Sequence, residues 1–219
     1  MEAKNIRGIL KGLPGKTKNH LGIYDFLLIL VTVLIHTVFY PIVQKYNPIG
    51  IPFVSSLDGL IPFVPVFIIP YLLFVPFLCL SVFLVRKNVR VRHGLLTSFT
   101  ISSVIGILIY LFYQTSVIRP DIAPVGVLNL LIEGLYLRDA PLNAFPSFHV
   151  ALTTCAIFFL RNKWKLMTLF GLLIISSTVF IKQHYLWDVA GGLVLAIIAI
   201  IISIYVSHKI NPEEKVIDY

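Results

Sequence analysis

Asn143-Ala-Phe-Pro-Ser-Phe-His149 stands immediately before a long apolar run. A serine able to cap a helix, followed at once by apolar residues, reads as the entrance to a membrane helix. A second polar cluster, Lys182-Gln-His-Tyr-Leu-Trp-Asp188, stands before the next apolar run but one. Ionisable side chains at the ends of membrane helices are costly to keep and are functional candidates for that reason. The rest of the chain is therefore read as a frame that holds these two clusters together at one membrane face.

The composition supports such a frame. The chain has 219 residues, 58% of them hydrophobic and 13% charged, with a mean hydropathy of +0.90. A soluble domain is about half apolar and about a quarter charged. The expectation is a polytopic membrane protein with a single membrane-embedded domain over 1–219, a basic cytoplasmic N-terminus over 1–21 and a short cytoplasmic tail over 208–219. The net charge of +8 raises nucleic acid as a partner. It is set aside because the basic residues flank apolar runs, as membrane orientation requires. Cys79 and Cys155 lie inside apolar runs without ligand-like neighbours and read as small buried side chains. The first apolar run is too long for a signal-peptide core and has no evident small-residue cleavage site, so it reads as a retained helix.

The fold class expected is all-α, with six transmembrane helices in one bundle. They fall at about 23–43, 61–85, 95–115, 148–160, 166–181 and 186–206. Pro62, Pro65, Pro70 and Pro76 predict kinks or a late start in the second. The connection 116–147 contains an apolar stretch over 125–136 that is too short to span and is predicted to form a short interfacial helix before the fourth span. With six spans, fourteen Lys and Arg residues fall on the side of the termini, and four (Lys45, Arg119, Arg138 and Lys182) fall on the other. Both termini are then cytoplasmic, and the two polar clusters face outward. Arg119 and Lys182 stand beside those clusters, on the side where positive charge is otherwise sparse.

If the sixth helix starts near His184, a spacing of four puts Asp188 on the same face as His184. A carboxylate there would fix the imidazole tautomer and make the second ring nitrogen a better nucleophile. The alternative is a structural pair that caps the helix. Ser147 can cap the fourth helix, whose open backbone N–H groups suit phosphate oxygens, with His149 placed as a proton donor to a leaving group. The alternative is a plain cap beside an incidental histidine. Arg119 can fork onto phosphate oxygens, or hold a lipid head group or Asp121. Asp58, with Asn143, is a candidate for the substrate entrance, or else both serve turns and caps. His20, His36, His93 and His208 are assigned none of the chemistry.

Arg119-Pro120, then Pro146-Ser-Phe-His149, then Ser177-Thr178 followed by His184 and Asp188 at kept spacing, resemble the three-part signature of the type 2 phosphatidic acid phosphatase superfamily. The resemblance covers roughly 113–196. Phe112 stands where that signature has Lys, Phe148 where it has Gly, and Thr178 where it has Arg. The Pro-Ser-x-His and Lys-Gln-His-Tyr forms also resemble the sphingolipid phosphotransferases and inositol phosphorylceramide synthases.

The resemblance implies a two-step phosphoryl transfer. His184 is the nucleophile and forms a phosphohistidine, His149 protonates the leaving oxygen, and Asp188 orients His184. Arg119, Ser147 and Lys182 hold the phosphate. No metal and no cofactor is required. The expected function is a lipid phosphatase acting on phosphatidic acid, phosphatidylglycerol phosphate or a polyprenyl diphosphate such as undecaprenyl diphosphate. It would work at the outer face of a membrane, a bacterial cell membrane given the short termini, among membrane lipids. The alternatives are a lipid phosphotransferase with an alcohol acceptor and, less favoured, a non-catalytic transporter or scaffold, in which the histidines and the aspartate would not converge. The sequence carries no sign of oligomeric state.

Overall fold

A computed structural model describes residues 21–161 and 164–210. The basic stretch before Leu21, Lys163 and most of the tail lie outside the described residues. The protein is mostly helical. Among the described residues, four helices are long and apolar enough to cross a membrane: α1 (Ile23–Tyr46), α2 (Pro65–Val85), α3 (Val89–Phe112) and α7 (Leu186–Ile210). Between α3 and α7 lie α4 (Val127–Arg138) and two shorter apolar helices, α5 (Phe148–Leu160) and α6 (Lys165–Phe180). The 13 residues of α5 rise about 20 Å at 1.5 Å per residue, short of a hydrocarbon core of about 30 Å. Large apolar side chains such as Phe26, Val75, Leu108 and Ile201 stay exposed on the outside of the bundle. With the four long helices, they are consistent with an integral membrane protein.

The helices alternate in direction. The chain after α1 pairs with the chain after α3, through Ile51 N–H to Gln114 O at 3.1 Å and a short parallel pair, β1 (Ile51–Pro52) and β2 (Thr115–Ser116). Val64 N–H, before α2, donates to Phe180 O at the end of α6 at 3.0 Å. Ser147 N–H, before α5, donates to Asp188 O in the first turn of α7 at 3.0 Å. Both polar clusters therefore sit at one end. At the other end α1 begins beside the start of α3, where Asp25 meets Arg92 and His93.

The prolines act as expected. Pro65 opens α2 as a turn of 3-10 helix (Pro65–Phe67), four residues later than the expected start. A further break falls at Leu73, because Pro76 has no N–H to give the Leu72 carbonyl and its ring crowds that carbonyl. In α1 the same absence at Pro41 adjoins a widened π turn over Ile35–Phe39, which turns His36 toward α3, where its Nε2 lies 3.0 Å from Ser103 Oγ. The start of α3 departs from expectation by six residues. The Asn88 side chain accepts from Val91 N–H and caps the helix. Arg92, unpromising in a buried helix by itself, is neutralised by Asp25. Cys155 is buried as expected, but Cys79 is exposed, because it lies on the outward side of α2, between the inward-facing Phe77 and Ser81.

The bundle's centre is packed by α2, α3, α5, α6 and α7 through Phe77, Leu95, Phe99, Leu152 and Ile174, with Ala156, Ala196 and Ala199 letting helices approach closely. Gly192 of α7 stands at a close approach that leaves no room for a side chain. A Cβ there would lie 2.7 Å from Ser147 O, so its absence brings the start of α5 against the start of α7. The parallel pair α1 and α3 is joined by Tyr24–Thr97, Thr32–Thr100 and His36–Ser103 side-chain hydrogen bonds of 3.0, 3.1 and 3.0 Å.

Candidate active site

The loop before α5 is held by the end of α3. Asn143 is anchored to Gln114 twice, its N–H donating to Oε1 and its Oδ1 accepting from Nε2, both at 2.8 Å. Phe145 N–H donates to Thr115 Oγ1 at 2.7 Å, and Tyr110 OH donates to Pro146 O at 2.6 Å. Ser147 then caps α5, its Oγ accepting from Val150 N–H at 3.4 Å. One residue into the helix, His149 stands between Tyr71 and Phe74, with ring centroids 4.4 and 4.2 Å away.

The second cluster makes a tight turn between α6 and α7. The Thr178 carbonyl accepts from both Gln183 N–H (2.9 Å) and His184 N–H (3.0 Å). Lys182 takes a left-handed backbone, φ 53°, and Asn143 does the same at φ 55°. That conformation is disfavoured for a side-chain-bearing residue, tolerated best by Asn, and concentrates at functional sites. Helix α7 starts at Leu186, so His184 precedes it instead of sharing a helical face with Asp188. They still meet. Asp188 Oδ2 accepts from Tyr185 N–H at 2.8 Å and lies 3.4 Å from His184 Nδ1. Asp188 is thus both the cap of α7 and the neighbour of His184, which joins the two readings that the spacing left open.

His149 and His184 face each other with ring centroids 6.1 Å apart. Both line a cavity of about 280 Å³, with Arg119, Gln183, Asn143 and Tyr71 among its walls. Arg119 reaches in from the loop after β2. Its Nη1 donates to Asp139 O (2.6 Å) and Tyr136 O (3.2 Å), and its Nη2 donates to Gln183 Oε1 (2.6 Å). The guanidinium also lies 4.5 Å above the Tyr136 ring and 3.8 Å from Asp139 Oδ2. Burial pushes the Tyr136 phenol up to about 12 against the opposing pull of Arg119, so it stays protonated and donates to Ile181 O at 2.6 Å.

The other candidate residues are placed differently. Lys182 Nζ turns to the carbonyls of Ile61 and Asp58. Asp58 Oδ1 accepts from Leu186 N–H at 2.8 Å and its Oδ2 from Ser55 N–H at 2.6 Å, tying the loop before α2 to the start of α7. Neither side chain is among the cavity walls, and nor is Ser147. Phe112 is 82% exposed. Phe148 points between α1 and α3, where it packs on His36 of the first (4.7 Å) and Tyr110 of the second (4.9 Å). Gly106 leaves the room that this ring fills, since a Cβ there would come 2.1 Å from the Phe148 ring. Among the walls that carried no sequence signal are Tyr71, Phe74, Tyr110 and His36. Their roles come from neighbours distant in the chain.

A model of the PAP2 superfamily matches residues 66–202. Together with the bundle and the two facing histidines, that match establishes the class: the chain belongs to the PAP2 superfamily, whose members generally hydrolyse phosphate esters. No curated protein and no solved structure matches the chain. The matched region holds every candidate residue of the three motifs. It leaves out α1, which contributes His36 and Tyr40 to the cavity wall.

Proposed function

We propose that this protein is an integral membrane lipid phosphatase that works through a phosphohistidine on His184. One observation carries the reading: His149, His184 and Arg119 converge on one cavity, with Asp188 behind His184. Such convergence favours an enzyme over a scaffold with a decayed site.

With Nδ1 turned to Asp188, His184 Nε2 attacks the phosphorus. The P–N bond forms, the bond from phosphorus to the lipid oxygen breaks, and His149 delivers its proton to that oxygen. Water, losing a proton to His149, then attacks the phosphorus of the phosphohistidine; the new P–O bond forms as the P–N bond to His184 breaks, and inorganic phosphate leaves. Arg119 is the fixed positive charge beside the transferring group, pre-oriented by Asp139 and Gln183 so that little reorganisation accompanies the reaction. Ser147 acts through the α5 N-terminus it caps. Lys182 acts by fixing the turn that presents His184, and Asp58 and Asn143 act by holding the loops of the entrance.

The substrate class is a lipid phosphate or a polyprenyl diphosphate. The reading includes six spans, with α5 and α6 completing the set and α4 at the interface. Both termini are cytoplasmic and the cavity opens on the extracytoplasmic face, because the connections at the cavity end carry few Lys and Arg. It needs no metal. Purified protein given labelled phosphatidic acid or undecaprenyl diphosphate is expected to release inorganic phosphate in EDTA. Loss of turnover in EDTA would remove the mechanism, and a cysteine near Asn143 that labels only from the cytoplasm would reverse the topology.

A second reading, phosphotransfer to an alcohol acceptor, is supported by the far wall of the cavity. His36, Tyr40, Tyr110 and Phe148 line the same cavity as the histidine pair, and an acceptor hydroxyl could occupy the space they border. Adding candidate alcohols to the same assay separates the two: a phosphorylated acceptor in place of free phosphate selects the transferase.

A further inference from the structure

Gln183 is 5% exposed, lines the cavity and directly precedes His184. Its amide is oriented without ambiguity. Arginine only donates hydrogen bonds, so the atom 2.6 Å from Arg119 Nη2 must be the amide oxygen. The other end of the amide, Nε2, then carries two N–H donors. It is buried and, among the described residues, has no hydrogen-bond partner. Buried donors are almost always paired, and one left open in a cavity wall calls for a ligand. Arg119 Nε is in the same condition. Two unpartnered donors, joined through the Arg119–Gln183 hydrogen bond, therefore stand at one edge of the cavity. The side chains with a charge to offer nearby are otherwise engaged: Lys182 is spent on the carbonyls of Ile61 and Asp58. Thr178 turns its hydroxyl back to Ile175 O at 2.8 Å.

We propose that Gln183 is a phosphate-binding residue, whose Nε2 donates to a non-bridging oxygen of the transferring group while its Oε1 holds Arg119 in place. The ligand class is a tetrahedral or trigonal-bipyramidal oxyanion. The role in turnover rests on the phosphatase reading above, while the oxyanion contact stands apart from it. A neutral donor paired with one guanidinium gives the site less positive charge than two or three cations would. Binding of the oxyanion should accordingly lean on hydrogen-bond direction more than on charge.

The test uses the full-length protein in detergent and two substitutions. Gln183→Met keeps the volume and removes both halves of the amide. Gln183→Glu keeps an acceptor for Arg119 and removes the donor. Orthovanadate, which adopts the geometry of the transferring phosphoryl group, is the probe, read as a shift of the thermal unfolding midpoint. The wild type is expected to be stabilised by vanadate and both variants to lose that shift. In turnover of labelled phosphatidic acid, kcat should fall roughly 100-fold in both, the cost of one oxyanion donor, with KM changed less than threefold. A residue that merely positions Arg119 would leave Gln183→Glu near wild type. If Gln183→Glu keeps its vanadate shift, or its kcat within threefold, the proposal is overturned. It is equally overturned if vanadate fails to stabilise the wild type. Where Gln183→Met does not fold, Gln183→Glu carries the test, since it retains the contact to Arg119. A wild type that binds vanadate but releases no phosphate from any lipid would instead sink the phosphatase reading, leaving the Gln183 contact to be judged by the vanadate shift.

Discussion

The two ends of the bundle each bury an aspartate beside a histidine, and they use it in opposite ways. At the end away from the cavity, Asp25 is saturated. Arg92 forks onto both of its oxygens at 3.0 Å, His93 Nε2 lies 3.3 Å from Oδ1, and Gly22 N–H donates to Oδ2 at 2.8 Å. At the cavity end, among the described residues, Asp188 Oδ1 has no hydrogen-bond partner. His184 Nδ1 lies 3.4 Å from Oδ2 without making a hydrogen bond to it. The same residue types thus make a clip at one end and an unfinished network at the other. Residue identity does not distinguish them. Satisfaction does: a buried polar group left with capacity, beside a cavity, is placed to complete its bonding when a ligand or a transition state arrives.

Substitutions at the two ends should separate along that line. The largest effect belongs to His184→Ala. Phosphate release is expected to fall by about 10⁴-fold or more, as for removal of a nucleophile, with the thermal midpoint nearly unchanged. A variant that keeps its rate would end the comparison at once. His149→Ala should lower kcat by roughly 10²–10⁴-fold, the range for a general acid, measured on a substrate with a poor leaving group, where protonation matters most. Asp25→Ala should do the reverse. It leaves Arg92 buried without its carboxylate, which costs about 3–5 kcal/mol of stability, seen as early unfolding in denaturant, while kcat of the folded fraction holds. If that variant loses activity without losing stability, the clip is part of the site after all. Gly106→Ala forces the Phe148 ring to move and should cost about 1–3 kcal/mol, read in the same melts. The smallest effect is set for Thr32→Val, which removes one hydrogen bond between α1 and α3, worth about 0.6 kcal/mol within a membrane bundle.

Much of this was legible in the chain. The long apolar runs became helices and the prolines broke α2 where they should, while His184 and Asp188 meet through the turn before α7 instead of the shared helical face that their spacing suggested. The stretch 125–136 is helical, displaced by two residues. What stayed hidden was hidden for physical reasons. Between Lys182 and His184, the charged lysine looks the better phosphate ligand. The left-handed backbone at Lys182 redirects the chain there, so the lysine meets the loop before α2 and the neutral Gln183 lines the cavity. Arg92 and His93 argue against a helix when read in isolation, because the carboxylate that makes them tolerable lies on α1, 67 residues from Arg92. His36 has no local signature either. It becomes a cavity wall only because Pro41 widens α1 and Ser103 receives its ring.

The interlock of Gly106 and Phe148 has a consequence for how this chain can change over generations. The ring of one occupies the room that the other leaves by lacking a side chain, so the two positions are inherited as a pair. A chain with glycine at 148 could carry a larger residue at 106 without penalty, whereas this chain cannot. An exchange at one site is harmful or neutral according to the state of the other. The route from an aromatic to an open far wall therefore runs through position 148 first, and position 106 is free to drift only afterwards.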